Sequence, residues 1–223
     1  MLRALGRLHR VEALVDPDNE AGVRVATRAG LRREGVLRGH RLNDGGREDR
    51  VVLARLATDP PTGDPQGFRS LLNSFLPRKR AIAQMLVRDD AGRVLLCRLT
   101  YKSDWDLPGG VVEVNESPQE AVSREVEEEL GLELGAGPLL LTDWLPPWSG
   151  WDDALCLVFD GGVRDASIVE GAVLQAREIR SAQFCTLDEV REHCADFTAR
   201  RIESALVSLR GPGGPAYTES GRF

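Results

Sequence analysis

Residues Ser117 to Gly131 can form a helix in only one register, and that register dictates much of what surrounds it. Ser117 is an N-cap, Pro118 takes the first helical position, and Glu120 falls three after the cap, completing a capping box. Gly131 supplies the stop, because a glycine just past the last turn adopts positive φ without strain. At about 100° per residue, Glu125, Glu128 and Glu129 share an arc of roughly 100°. Val122, Val126 and Leu130 form the adjoining apolar stripe, at i, i+4 and i+8. The stripe is expected to dock on a core, with the carboxylates along its border. Glu129 lies nearest the core, and Glu127 points elsewhere.

Three carboxylates gathered this way repel one another at neutral pH, and more so when buried. A hard divalent cation relieves the repulsion, because Mg²⁺ takes oxygen ligands: one or two carboxylates, phosphate and water. Taken alone, the helix reads sooner as a solvated acidic face, with Arg124 pairing Glu128 or Glu120 at i+4.

The flanking residues decide between these readings. Trp105-Asp106-Leu107-Pro108-Gly109-Gly110 runs into the helix. From Gly110 there are five residues to Glu116 and seven more to Arg124-Glu125, followed by Val126, Glu128-Glu129, Gly131 and Leu132. This 23-residue stretch resembles the Nudix box at every fixed position. The resemblance implies an α/β fold, a Nudix α/β/α sandwich with a mixed sheet, over about residues 78–210. It implies metal-dependent cleavage of a diphosphate bond in a nucleoside diphosphate-linked substrate, with Mg²⁺ or Mn²⁺ as cofactor. It further implies that Gly109 (through its carbonyl), Glu125, Glu128 and Glu129 hold the metal. Arg98 is placed near the substrate phosphates, or is simply an exposed strand arginine. A glutamate outside the box assists metal or water; Glu178 is the candidate and Glu170 the alternative. Glu125, Glu128 or Glu178 would orient or deprotonate the attacking water. Glu116 and Arg124 would pair to fix loop to helix, and Gly110 and Gly131 serve the backbone. A different class of function, a nucleotide-binding regulatory module without catalysis, is disfavoured by the intact carboxylate set.

Composition narrows the partners. No apolar run approaches the roughly 18 residues a membrane span needs, and the arginine-interrupted start does not read as a signal peptide. A cytoplasmic protein with no membrane or nucleic-acid polymer as partner is expected, and a homodimer is left open. Cys97, Cys156, Cys185 and Cys194 form no CxxC pair and read as buried reduced thiols. Charge is uneven: +3 over residues 1–59 and −9 over 60–223, within a net −6. An acidic half repels a phosphate substrate unless bound metal reverses the local sign.

Residues 1–59 read as a strand (8–15), a turn at Asp16-Pro17-Asp18-Asn19, a helix (20–29) stopped by Gly30, and a strand (49–57). Arg10-Val11-Glu12-Ala13, Asn19, Arg24-Val25-Ala26, Ala29-Gly30, Arg33 to Gly39 and Asp49-Arg50-Val51-Val52 resemble the C-terminal part of a GNAT N-acetyltransferase, over about residues 7–59. The family's glycine-rich loop for the acetyl-CoA pyrophosphate does not precede residue 8, and Gly22 and Leu31 depart from its pattern. A remnant, or a fragment of a bifunctional acetyltransferase–Nudix protein, without acetyl transfer, is expected. Residues 60–77 are expected to link the two parts, because three prolines and two glycines within residues 58–67 resist helix and ladder; a short helix over 68–76 is allowed. Strands are expected at 81–88, 93–99, 139–145 and 154–160, and helices at 187–194 and 197–209. The Trp144–Trp151 loop, with three tryptophans around two prolines, either stacks a base or covers the sheet. Residues 211–223 are expected to be disordered.

Overall fold

The computed structural model describes residues 8–211, 214 and 216–222. The chain divides into two compact units, one ending at Arg78 and the other starting at Lys79. Residues 1–7 of the acetyltransferase-like segment lie outside the described residues.

In the first unit, strands β1 (Arg10–Val15), β2 (Arg32–Asn43) and β3 (Gly46–Leu56) form an antiparallel sheet in the order β1-β3-β2. Helix α1 (Glu20–Arg28) starts at Asn19, whose side chain accepts from the Gly22 N–H, and ends before Gly30, at φ +81. Ala26, Leu31, Val51 and Leu53 make a small core, with Phe75 packed against it. β2 was not foreseen. Its residues are exposed or half-buried throughout, so neither face imposes the alternation by which a strand is recognised. The helix allowed over 68–76 within the expected linker starts three residues earlier. Helix α2 (Pro65–Asn73) starts there because Pro65 stands at a first-turn position where its missing N–H costs no helical hydrogen bond.

In the second unit, a mixed sheet runs in the order β10-β5-β4-β9-β8-β11. Its strands are β4 (Arg80–Arg88), β5 (Val94–Leu99), β8 (Leu139–Leu145), β9 (Ala154–Val163), β10 (Ile179–Cys185) and β11 (Tyr217–Glu219), with short β6 (Trp105–Asp106) on β5 and β7 (Gly109–Val111) on β4. β4 runs parallel to β9, and β11 parallel to β8. The central strands are apolar on both faces and alternate between two cores. Ala83, Met85, Val87, Leu95 and Cys97 face helix α3 (Pro118–Leu130) through Ala121, Val122, Val126 and Leu130. Leu86, Val94 and Leu96 face helices α4 (Leu187–His193) and α5 (Asp196–Ser208) through Val190, Ile202 and Ala205. The unit is therefore an α/β/α sandwich. All four cysteines are buried and free.

The tail departs from the disorder expected of it. Residues 217–219 pair with β8, and the Ser220 N–H donates to the Trp144 carbonyl at 3.0 Å. Asp143, fully buried, binds Thr218 Oγ1 and the Gly221 N–H at 2.8 Å each, so a buried carboxylate draws in a glycine-rich segment that composition alone leaves loose. Residues 212, 213, 215 and 223 of that tail lie outside the described residues. No helix among the described residues is long and apolar enough to cross a membrane.

Candidate functional site

One edge of β4 is shared by two partners. At its far end Arg88 pairs with Val94 of β5, while Ile82, Ala83 and Gln84 pair with Val111, Gly110 and Gly109 of β7. The chain from Trp105 to Val111 thus wedges the sheet open. It lays two glycines on the N-terminal half of β4, directly against α3.

Both glycines are required by contact. Gly109 has φ +137, and a Cβ there would overlap the Ala83 carbonyl oxygen and lie 2.8 Å from Gln84 Cα. A Cβ on Gly110 would overlap the Glu125 carboxylate instead. Helix α3 is held in register as its sequence dictates. The Ser117–Glu120 capping box is formed and Gly131 takes φ +66.

Each carboxylate of α3 sits in a different environment. Glu129 is 5% exposed and accepts the Gly109 N–H at 2.9 Å. Burial, with Glu125, Glu178 and Asp106 nearby, pushes its carboxyl up to about 8 against that single hydrogen bond. Glu125 is half-buried, and burial raises its carboxyl against the pull of Arg124. Glu128 is exposed, and Glu127 is exposed as well. Arg124 ties the group together. Its guanidinium grips Glu116 through Nε at 2.8 Å and Nη2 at 3.0 Å, and reaches Glu125 at 2.9 Å and Glu128 at 3.0 Å. Arg124 in turn holds the Glu116 carboxyl below its usual range.

These groups line one cleft of about 510 Å³. Tyr101, Gly109, Gly110, Glu125, Glu128 and Glu129 are joined there by Gln175 and Glu178. Among the described residues, no three acidic, histidine or cysteine side chains already stand as a closed set of metal ligands. Arg124 occupies oxygens of Glu125 and Glu128, so a cation entering the cleft meets carboxylates that must turn from the guanidinium. The donors that could hold one are all hard oxygens, the chemistry Mg²⁺ and Mn²⁺ require.

Glu178 reaches this cleft and Glu170 does not line it; Glu170 lies in a 3₁₀ turn (Ala166–Gly171). Arg98 does not line it either. Its neighbours Cys97 and Leu99 face the α3 core, so strand alternation turns Arg98, exposed, to the opposite face of the sheet. That exposed position is compatible with the alternative reading, an exposed strand arginine.

A second cavity of about 430 Å³ adjoins the first and shares Tyr101, Gly109, Gly110 and Val111 with it. Its floor is a largely buried polar chain, exposed at Lys102, that sequence reasoning missed. Lys102 Nζ donates to Asp106 Oδ2 at 2.8 Å, Gln84 Nε2 to Asp106 Oδ1 at 2.8 Å, Arg201 Nη1 to Gln84 Oε1 at 3.0 Å, and Arg201 Nε to Asp143 Oδ2 at 2.8 Å. Burial opposes ionisation of Asp106, but Lys102 and Arg201 hold its carboxyl below the usual range. One signal was available: Arg201 falls on the buried stripe of α5 beside Thr198, Ile202 and Ala205, where a charge demands a partner. The Trp144–Trp151 loop forms the cavity wall with Trp148 and Trp151.

The Arg124 fork yields a first expected result. Arg124→Lys keeps the charge but cannot grip Glu116 through two nitrogens while reaching Glu125. Turnover per KM should fall about tenfold to a hundredfold, while Tm drops by only about a few degrees. Unchanged turnover would show that the fork does not position the carboxylates.

Comparison with known proteins agrees with this architecture. The family model of the NUDIX domain matches residues 77–206. A MutT-like protein of Streptomyces ambofaciens is 35% identical over 130 residues, 56% of this chain and 75% of that protein. The nucleoside triphosphatase NudI of Escherichia coli O1:K1 / APEC is 36% identical over 93 residues, 40% of this chain; the match spans 61% of NudI, less than two thirds of its length. Among solved structures, the MutT protein from Methanosarcina mazei Go1 superposes with a TM-score of 0.51 at 26% identity, covering 61% of this chain and 100% of that one.

Proposed function

Because this chain belongs to the Nudix family and is a Nudix pyrophosphohydrolase, we propose that it cleaves a diphosphate bond in a nucleotide with the help of a divalent cation held in the carboxylate cleft. The observation that carries this reading is the convergence of Glu125, Glu128, Glu129 and Glu178 on one cleft lined by Gly109 and Gly110. Glu125, Glu128 and Glu129, with the Gly109 carbonyl, would hold Mg²⁺ or Mn²⁺. When bound, the cation neutralises charge on the diphosphate oxygens and makes water a better nucleophile.

The chain's own residues do the rest. Arg124 holds Glu116, and with it the loop 111–116, against α3. Gly110 leaves room for the Glu125 carboxylate, Gly109 lets the turn lie against the β4 backbone, and Gly109 orients Glu129 through its N–H. Glu178, in the turn just before β10 and exposed at the rim, would take a proton from water entering the cleft, with Glu125 or Glu128 as the other bases available. A panel of nucleoside triphosphates, nucleoside diphosphate sugars, ADP-ribose and dinucleoside polyphosphates, assayed with Mg²⁺ and Mn²⁺, tests this. Cleavage of at least one class at a phosphoanhydride, abolished by chelation, is expected. Metal-dependent binding without any cleaved product would instead make the domain a nucleotide-binding module.

For residues 8–59 the reading remains an acetyltransferase-like unit without acetyl transfer. Its support is the three-stranded antiparallel sheet with α1 beside β1. Release of free CoA thiol from acetyl-CoA in the presence of amine acceptors should stay at background; protein-dependent release would contradict it.

A further inference from the structure

The second cavity has the makings of a base-recognition site, and its hydrogen bonding is unbalanced in one direction. Each acceptor on its floor already has a donor. Asp106 Oδ1 takes Gln84 and the Leu107 N–H, Asp106 Oδ2 takes Lys102, and Gln84 Oε1 takes Arg201 and the Cys156 thiol. Two guanidinium nitrogens of the lining residues are left over. Arg201 Nη2 and Arg80 Nε are buried and have no partner among the described residues. Arg201 is only 2% exposed, and an unpaired buried donor is costly enough to call for an explanation. The walls are aromatic. Trp148 and Trp151 are 66% and 61% exposed, Trp148 lies 6.4 Å from the Phe197 ring, and the Arg80 guanidinium sits 4.6 Å over Trp151. Exposed rings beside a cavity offer stacking surface to a planar group.

We propose that this cavity takes the base of the substrate, stacked on the tryptophan loop with an exocyclic ring oxygen facing Arg201, so that the enzyme selects nucleotides of oxo bases over their amino counterparts. An amino group at that position would set donor against donor and leave Arg201 Nη2 unpaired. An oxygen there would pair it once the guanidinium turns toward the cavity, since Nη2 itself is buried. The four shared lining residues make the two cavities continuous, so a base in one can be joined to a diphosphate in the other. The inference rests on the reading of the first cleft as the diphosphate site.

Two pairs of nucleotides, read together with the Arg201 variant, test the contact. Inosine and adenosine nucleotides differ in oxygen against amino at one ring position, with the adjacent ring nitrogen a donor in the first and an acceptor in the second, as do uridine and cytidine nucleotides. Turnover per KM for ITP over ATP and for UTP over CTP should each favour the oxo member by on the order of tenfold to a hundredfold. Arg201→Lys, which keeps a cation beside Asp143 but loses the fork, should bring both ratios toward one. Calorimetric titration of IMP against AMP, which needs no hydrolysis, gives an independent reading. Preference for IMP with no cleavage of any triphosphate would sink the proposed reaction and keep this inference. Cleavage with ratios of one or below in the wild-type protein would sink this inference and keep the reaction. Ratios unchanged in a folded Arg201→Lys protein would also overturn it.

Discussion

Glu129→Gln should leave the protein folded and lower turnover at least about a hundredfold, several kcal/mol of barrier, because it removes one charge from the proposed metal-holding set. Folding is spared because glutamine still offers an oxygen to the Gly109 N–H, the one hydrogen bond that the Glu129 side chain makes among the described residues. Near-normal turnover at saturating Mg²⁺ would remove Glu129 from that set. The same substitution has a signature in the metal-free protein. With its carboxyl pushed up to about 8 by burial, Glu129 keeps its proton in the folded chain at pH values where the unfolded chain, with an ordinary carboxyl near 4.5, has lost it. Folded protein then binds more protons than unfolded protein, so this group's contribution is full below about pH 4.5 and is lost as pH rises through about 8. Without metal, Tm of the wild type should fall across that window more steeply than Tm of Glu129→Gln. Divalent cation should flatten the wild-type slope, since binding takes the place of the proton. Parallel Tm–pH curves for the two proteins in chelator would show that the carboxyl is not held neutral by its surroundings.

The two neighbouring glycines should respond in opposite ways to the same added methyl group. Gly109→Ala meets backbone, the Ala83 carbonyl and Gln84 Cα, at φ +137, where only glycine is at ease. Neither the strand β4 nor the dihedral can yield, so unfolding free energy should drop by roughly 3 kcal/mol or more. Gly110→Ala meets the end of a flexible side chain, the Glu125 carboxylate. That carboxylate can swing aside, so stability should change by less than about 1 kcal/mol while turnover falls at least about tenfold as Glu125 leaves its position. Urea melts and initial rates on both variants check the contrast. A stable, inactive Gly109→Ala or an unstable Gly110→Ala would show that the close packing of this turn against β4 and α3 has been misjudged.

How much of this was legible beforehand depended on whether the residues announce their role locally. Helix α3 did so. Ser117, Pro118, Glu120 and Gly131 set its ends, and its angular arithmetic correctly singled out Glu129 as the carboxylate nearest the core and Glu127 as turned away. The apolar runs of β4 and β5 were equally plain because each strand is buried on both faces or nearly so, and those of β8 and β9 because one face is buried. β2 and β11 were not. The first is half solvated on both sides, and the second exists because a buried carboxylate 75 residues away binds Thr218. The floor of the second cavity escaped for the same reason. Gln84, Asp106, Asp143 and Arg201 come from four separate segments, and no spacing joins them. For Arg98 the sequence left two readings, and the register of β5 puts it, exposed, on the sheet's other face from α3.

The central claim, that the carboxylates of α3 make a seat for a divalent cation, is tested most directly by titrating Mn²⁺ into the protein and counting bound ions by electron paramagnetic resonance. Wild-type protein should bind Mn²⁺ at one or more sites, and a folded variant with Glu125, Glu128 and Glu129 all changed to Gln should bind none with comparable affinity. Equal binding by the two proteins, or none by the wild type in the presence of nucleotide, would contradict the account.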